Sequence, residues 1–308
     1  MTKELKDNLW QDAYGKDCLL VLDSKYRDGK ASQALLELLR QSAKSTTPLY
    51  IDIKETVSSA TVDQLTKGLK KTGFDLLISL GSGYVASLTK ALAIALVYDG
   101  SMDDFAKEKV QPLFSLPWLE VMTEGVDGNE ICPAFVLSDK KEKTYVTIRL
   151  NSLRPMDVLP LDDQEGSFKA PSQDDKLDLV CNLLDLSLFS KDKAFAAMAK
   201  ALLSELCASS KDDQGLDLKK VALLVGTMLT HSLAPLQVRY VIAILLSKCP
   251  DIALKQAQAI ALGKVMRLGK DERLKAALST WLASLNIAGY QLPKEIDSRI
   301  DSKLAQRV

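Results

Sequence analysis

Apolar and polar positions follow one rhythm in the first half of this chain and another in the second. Cys18-Leu19-Leu20-Val21-Leu22 is a short unbroken apolar run closed by Asp23 and a polar stretch over 24–30, the pattern of a strand buried on both faces. Residues 31–44 then place Leu35, Leu36, Leu38 and Leu39 on a helical stripe. Residues 48–53 read as a second strand. Val62, Leu65 and Leu69 recur at spacings of three and four over 61–71, with Gly73 available to end that helix. Residues 74–80 form a third strand, Gly81-Ser82-Gly83 a turn, and 85–97 a long apolar helix. Strand, helix, strand, helix, strand, turn, helix predicts a doubly wound, Rossmann-like α/β domain. Extended segments at 119–122 and 134–137 follow, the second joined through a charged turn to 144–149 as a hairpin.

A polar stretch over 162–175, with Gly166 and Pro171, marks the boundary. The division is 1–163 as a dinucleotide-binding-like α/β domain and 164–308 as an all-α domain. Residues 178–189, 193–207, 216–231, 235–248 and 252–287 all carry helical periodicity, and no strand is expected among them.

Composition narrows the chemistry. Forty Lys+Arg balance forty Asp+Glu over 308 residues, so no basic excess draws the chain to nucleic acid or an anionic membrane, and neither partner is expected. The apolar stretch 221–246 is interrupted by His231, Pro235, Gln237 and Arg239 and reads as two buried helices rather than a membrane span. The first seventeen residues lack the apolar core of a signal peptide, which makes the cytoplasm the expected compartment. Five cysteines are scattered without a CxxC pair, so they are expected as small buried apolar residues. His231 is the sole histidine, which excludes any site built from several imidazoles.

A strand, Gly-x-Gly and a helix start place backbone N–H groups where a pyrophosphate can bind, although a ligand-free tight turn has the same pattern. Here the sequence acquires a resemblance. Leu80-Gly81-Ser82-Gly83-Tyr84-Val85-Ala86-Ser87-Leu88-Thr89-Lys90-Ala91 resembles the LGGGSxxDxxKA motif of the iron-containing alcohol dehydrogenases, which are related to glycerol dehydrogenase and dehydroquinate synthase. Leu116-Pro117 through Thr123 to Pro133 is similar to the family's LPxxxIPTTAGTGSExxP stretch, and residues 135–139 and 156–162 to the segments closing its first domain. Leu20 to Asp23 looks like the first strand and its terminal acid. The resemblance implies NAD or NADP held by Asp23, Gly81, Gly83, Lys90 and Thr123. It further implies iron or zinc in a helical domain, a small-molecule ligand in an interdomain cleft, and permits a homodimer.

The departures from the motifs are as specific as the matches. The motif's second glycine is Ser82, its serine Tyr84 and its acid Ser87, while Glu124 and Asp127 replace small or neutral residues beside the same phosphates. Tyr84 is expected to project into the pyrophosphate position, with Glu124 or Asp127 facing it. On the metal side, Asp178-Leu179-Val180-Cys181-Asn182 resembles an Asp-xxx-His ligand pair, with Asp178 kept as the metal candidate and Asn182 in place of histidine. Thr227 falls at a ligand position and His231 at the neighbouring non-ligand histidine, which makes His231 the catalytic candidate. Val238 or Arg239 stands near the last ligand. The residue-level alternatives are a packed core role for His231, a helix-start acid for Asp178 and a surface-snorkelling Lys90.

Two functions follow as expectations. One is an NAD(P)-dependent, metal-dependent alcohol or polyol dehydrogenase with a degenerate metal site. The other is a catalytically inactive relative acting as a binding or regulatory protein.

Overall fold

The structure, a computed structural model, describes residues 3–52, 57–81, 83–107, 109–122, 128, 130–139, 144–160, 173–208, 218–232, 234–249 and 251–305. The chain separates into two compact units, Met1–Ala170 and Pro171–Val308.

The first unit opens with α1 (Lys3–Ala13), β1 (Asp17–Asp23), α2 (Lys30–Ser42), β2 (Ser45–Ile51), β3 (Val57–Ser58), α3 (Ser59–Leu69), β4 (Leu76–Gly81) and α4 (Gly83–Ala95). It continues through α5 (Met102–Ala106), β5 (Trp118–Met122), β6 (Ala134–Asp139), β7 (Thr144–Arg149) and β8 (Val158–Pro160). Five strands form one parallel sheet in the order β2-β1-β4-β5-β8. Successive side chains of a strand leave opposite faces, and this divides the core. Cys18, Leu20, Leu22, Ile78, Leu80, Leu119 and Val121 pack with Leu5 and Leu9 of α1 and Leu35 and Leu39 of α2. Leu19, Val21, Leu77 and Trp118 turn the other way, toward Val62 of α3, Val85, Leu88 and Leu92 of α4 and Phe105 of α5.

The fold class matches the sequence reading, with three differences. α1 went unforeseen because Leu5, Leu9 and Ala13 are its only buried apolar positions in a run of charged residues. β2 starts at Ser45 rather than residue 48. It is an edge strand, half exposed, so Ser45-Thr46-Thr47 and even Pro48, opposite Leu20 of β1, are tolerated there. The hairpin β6–β7 does not extend the main sheet. It joins β3 in a separate sheet of order β3-β6-β7, with β6 and β7 antiparallel.

The second unit is helical among its described residues: α6 (Gln173–Phe189), α7 (Lys193–Ala208), α8 (Leu218–Ser232), α9 (Gln237–Lys248), α10 (Leu254–Met266), α11 (Glu272–Ser284) and α12 (Lys294–Ala305). The helical range 252–287 is divided into α10 and α11, and α12 is additional. Among the described residues no single helix is long and apolar enough to cross a membrane. α8 and α9 reach that length only together, across a bend of 100°. Cys18, Cys132, Cys181 and Cys249 are buried, as expected, and Cys207 is half-buried. Burial pushes the Cys18 thiol up to about 11 and the Cys207 thiol to about 12, so neither is a nucleophile at neutral pH.

Two packing details generate predictions. Lys264 of α10 is 6% exposed and bonds Asp297 Oδ1 at 2.6 Å and Asp301 Oδ1 at 2.7 Å on α12. Replacing both aspartates with alanine leaves a buried ammonium without its carboxylates and costs about 2–4 kcal/mol in urea unfolding. Adding Lys264→Met restores most of that loss. Gly81 lies so close to α4 that a Cβ there would sit 2.7 Å from Val85 Cγ2. Gly81→Ala is therefore expected to lower stability by about 1–3 kcal/mol, with partial recovery on Val85→Ala.

Candidate functional site

The strand order locates the first candidate. From β1 the chain moves to β2 on one side and returns to β4 on the other, so their connections diverge at the carboxyl ends of β1 and β4. Such a switch point is where open α/β sheets take ligands. The register pairs Leu22 with Leu80, which sets Asp23 beside Gly81 at that edge, and α4 begins at Gly83. Asp23 is 4% exposed. Its Oδ1 accepts the Lys25 backbone N–H at 3.0 Å, and its Oδ2 lies 3.6 Å from Lys25 Nζ without a hydrogen bond. The loop after it is braced by the Ser32 hydroxyl, which donates to the Gly29 carbonyl at 2.8 Å, and by Arg27 stacked 4.5 Å over the Tyr50 ring.

The space above Gly81 is not empty: a Cβ there would meet Val85 and lie 3.4 Å from Asp23 Cβ. The glycine is thus required by close strand–helix packing, whatever else it serves. Tyr84 corrects an expectation. Its ring packs against the core cluster beneath α4, and its buried hydroxyl has no hydrogen-bond partner. Burial pushes that phenol's pKa up. Packing of the ring against that cluster outweighs the orphaned hydroxyl and leaves the side chain half-buried. Ser82, Thr123, Glu124 and Asp127 lie outside the described residues.

Lys90 stands apart from Asp23 and Gly81. It is fully buried rather than snorkelling, donates from Nζ to the Ala134 carbonyl at 3.3 Å, and sits 5.5 Å from the centre of the Trp118 ring. An ammonium at 0% exposure needs such acceptors and ring faces to replace its hydration. Two carboxylates of the first unit are also buried: Glu120, bonded by the Ser79 hydroxyl, and Glu130, whose Oε2 accepts the Gly128 N–H at 2.9 Å. Both went unremarked as buried groups, because a charged residue inside a strand or loop gives no periodic signal.

The second candidate lies in the helical unit, along one face of α6. Asp178, Asn182 and Asp185 recur at spacings of four and three, which brings them to the same side of that helix. Each is engaged by another helix. Asp178 Oδ1 accepts Gln258 Nε2 of α10 at 2.7 Å, and Asn182 Oδ1 accepts Arg239 Nε of α9 at 3.0 Å. Asp185, fully buried, accepts the Val238 N–H at 3.0 and 3.1 Å through its two oxygens and so caps α9, whose own preceding residue, Leu236, offers no cap. Burial pushes the Asp185 carboxyl well above the usual range, opposed by those N–H groups and by Arg239. Asp185 was overlooked, although the same helical spacing that joins Asp178 to Asn182 also reaches it.

Two residue-level alternatives are corrected here. Asp178 is not a helix-start acid, since α6 begins at Gln173. His231 is not a core residue: it is exposed in the last turn of α8. Among the described residues no three His, Cys, Asp or Glu side chains gather as metal ligands.

Comparison with known proteins gives the chain relatives. The family model of iron-containing alcohol dehydrogenase matches residues 3–159. The chain is 30% identical over 132 residues to probable NADH-dependent butanol dehydrogenase 1 of Bacillus subtilis, covering 42% of this chain and 34% of that protein. It is 23% identical over 226 residues to probable NADH-dependent butanol dehydrogenase 2 of the same organism, covering 70% and 57%. The matches therefore span about one third and somewhat over half of these relatives. An iron-containing alcohol dehydrogenase from Thermotoga maritima superposes with a TM-score of 0.78 at 19% identity, covering 98% of this chain and 88% of that one. The parallel sheet with its switch point, the helical unit after it and the family match over half the chain agree: this protein belongs to the iron-containing alcohol dehydrogenase family.

Proposed function

We propose that this chain is a family member that keeps the two-unit scaffold, does not run metal-dependent hydride transfer, and acts as a binding or regulatory protein. One observation carries the reading: Arg239 Nε is hydrogen-bonded to Asn182 Oδ1. By resemblance Asn182 stands where the family has a histidine ligand, one helical turn from Asp178. In such chemistry the metal acts as a Lewis acid on the alcohol oxygen. The donors here do not suit it. An amide oxygen is a poorer ligand than imidazole, and the permanently charged guanidinium bonded to it opposes a second cation there.

A dinucleotide remains the ligand class to test at the switch point, since both curated relatives carry NADH dependence in their names. Asp23 and Gly81 favour it by position, side by side at the carboxyl ends of β1 and β4.

Metal analysis of the dialysed protein is expected to find no stoichiometric iron or zinc, before or after Asp178→Ala. Calorimetric titration with NADH and NADPH is expected to give dissociation constants no tighter than about millimolar, near 4 kcal/mol. Bound metal together with micromolar cofactor affinity and turnover of simple alcohols would return the chain to the dehydrogenases. Conversely, Asn182→His combined with Arg239→His should create a measurable Co2+ site, visible in the metal's absorption spectrum, that the unmodified protein lacks.

A further inference from the structure

The helical unit distributes its charges unevenly. Gln258 of α10 meets Asp178 of α6, and further along both helices Gly269 meets Leu188, where a Cβ on the glycine would lie 2.9 Å from Leu188 Cδ2. α6 and α10 therefore run side by side in one direction and end together, where the chain turns into α7 and α11. Lys200 of α7 bonds Asp271 at the start of α11, which holds α7 against the second turn. Over 190–200 and 267–275 the sequence places seven cations against three acids, in a chain whose formal net charge is zero. The three acids are already engaged. Asp192 Oδ1 accepts the Ala194 N–H at 2.8 Å and the Phe195 N–H at 3.2 Å, capping α7. Asp271 Oδ1 accepts the Arg273 and Leu274 N–H groups at 3.0 and 3.1 Å, and its bond from Lys200 holds the carboxyl below the usual range. Glu272 accepts Lys275 Nζ at 2.8 Å. Lys191, Lys193, Arg267, Lys270 and Arg273 are left exposed, and among the described residues none of these five forms an ion pair.

We propose that this corner of the helical unit is a docking surface for an acidic, extended segment of a partner protein. The guanidiniums of Arg267 and Arg273 can each take a carboxylate through two parallel N–H bonds, and the three lysines add point charges around them. Nucleic acid suits the surface less. No aromatic side chain is exposed among these residues for a base to stack on. The cations sit on two turns and the helix starts beside them, not along a helix or strand that could lie in a duplex groove. Leu188 is about 15 Å along α6 from Asp178, so the surface goes beyond the reading of the metal face and does not depend on it.

Fluorescence anisotropy of a labelled deca-glutamate peptide, titrated with the full chain at low ionic strength, tests the proposal. The unmodified protein is expected to bind the peptide and to release it as salt is raised. Lys270→Glu with Arg273→Glu should weaken binding about tenfold or more, with far-UV circular dichroism unchanged, because an acid in the first turn of α11 suits the helix dipole. Should that pair disturb folding, Lys191→Glu with Lys193→Glu gives the same readout from the other turn. Lys67→Glu with Lys71→Glu, an equal change of net charge at exposed positions of the first unit, should leave the affinity within about twofold. Absence of binding, indifference to a folded corner variant, an equal loss in the first-unit pair, or tighter binding of a short DNA duplex through the same residues overturns the proposal.

Discussion

A helix surrounded by other helices has no water to satisfy its polar groups, and α6 is in that position from Leu179 to Leu186. Asn182 and Asp185 are both at 0% exposure, where an unbonded amide or carboxylate would cost several kcal/mol. Their partners must therefore come from the neighbours, and this fixes the neighbours. The Val238 N–H groups α9 by its first turn against Asp185, and Arg239 one residue later reaches Asn182. Gln258 fixes α10 against Asp178. Each bond is worth about 1 kcal/mol net in a neutral pair and more with a charged member, but the geometric constraint exceeds the energy. The register of two helices is set by three side chains of a third.

The same constraint bears on chemistry. The N–H donors that satisfy this face are neutral at Gln258 and Val238 and charged at Arg239, so its oxygens do not share one electrostatic environment. Asp178 Oδ1 accepts from Gln258 and Asn182 Oδ1 from Arg239. The first unit shows a parallel economy. Gly81, Val85 and Asp23 lie close together at the strand ends, and the half-buried Tyr84 packs against the core cluster below. Motif positions associated with ligands in the family are here also positions of close packing.

Much of this was legible in the sequence. The strands carrying Leu19 to Leu22 and Leu76 to Leu80 are buried on both faces, so continuous apolar runs marked them. The turn and α4 followed from Gly81 and Gly83, and Asp178 with Asn182 from their spacing. What escaped was set by partners distant in sequence. β3 is two residues long and exists through pairing with β6, 80 positions later, which no local pattern records. Lys90 reads as a helix-surface lysine until Trp118 and Ala134 close over it. Tyr84 presented the same difficulty: its bulk was visible, but its direction depends on the core that α4 covers.

Pro48 in β2 carries a further consequence. β2 pairs with β1 along seven residues on one side and ends the sheet order on the other. A proline there has no N–H to offer, so the outward row of donors is broken at its midpoint. An incoming strand would find its carbonyl unanswered where continuous pairing matters most, and the ladder would stop after one or two rungs. The sheet is thereby capped chemically on that flank, and growth by strand addition into fibrous assemblies is denied its most exposed starting point.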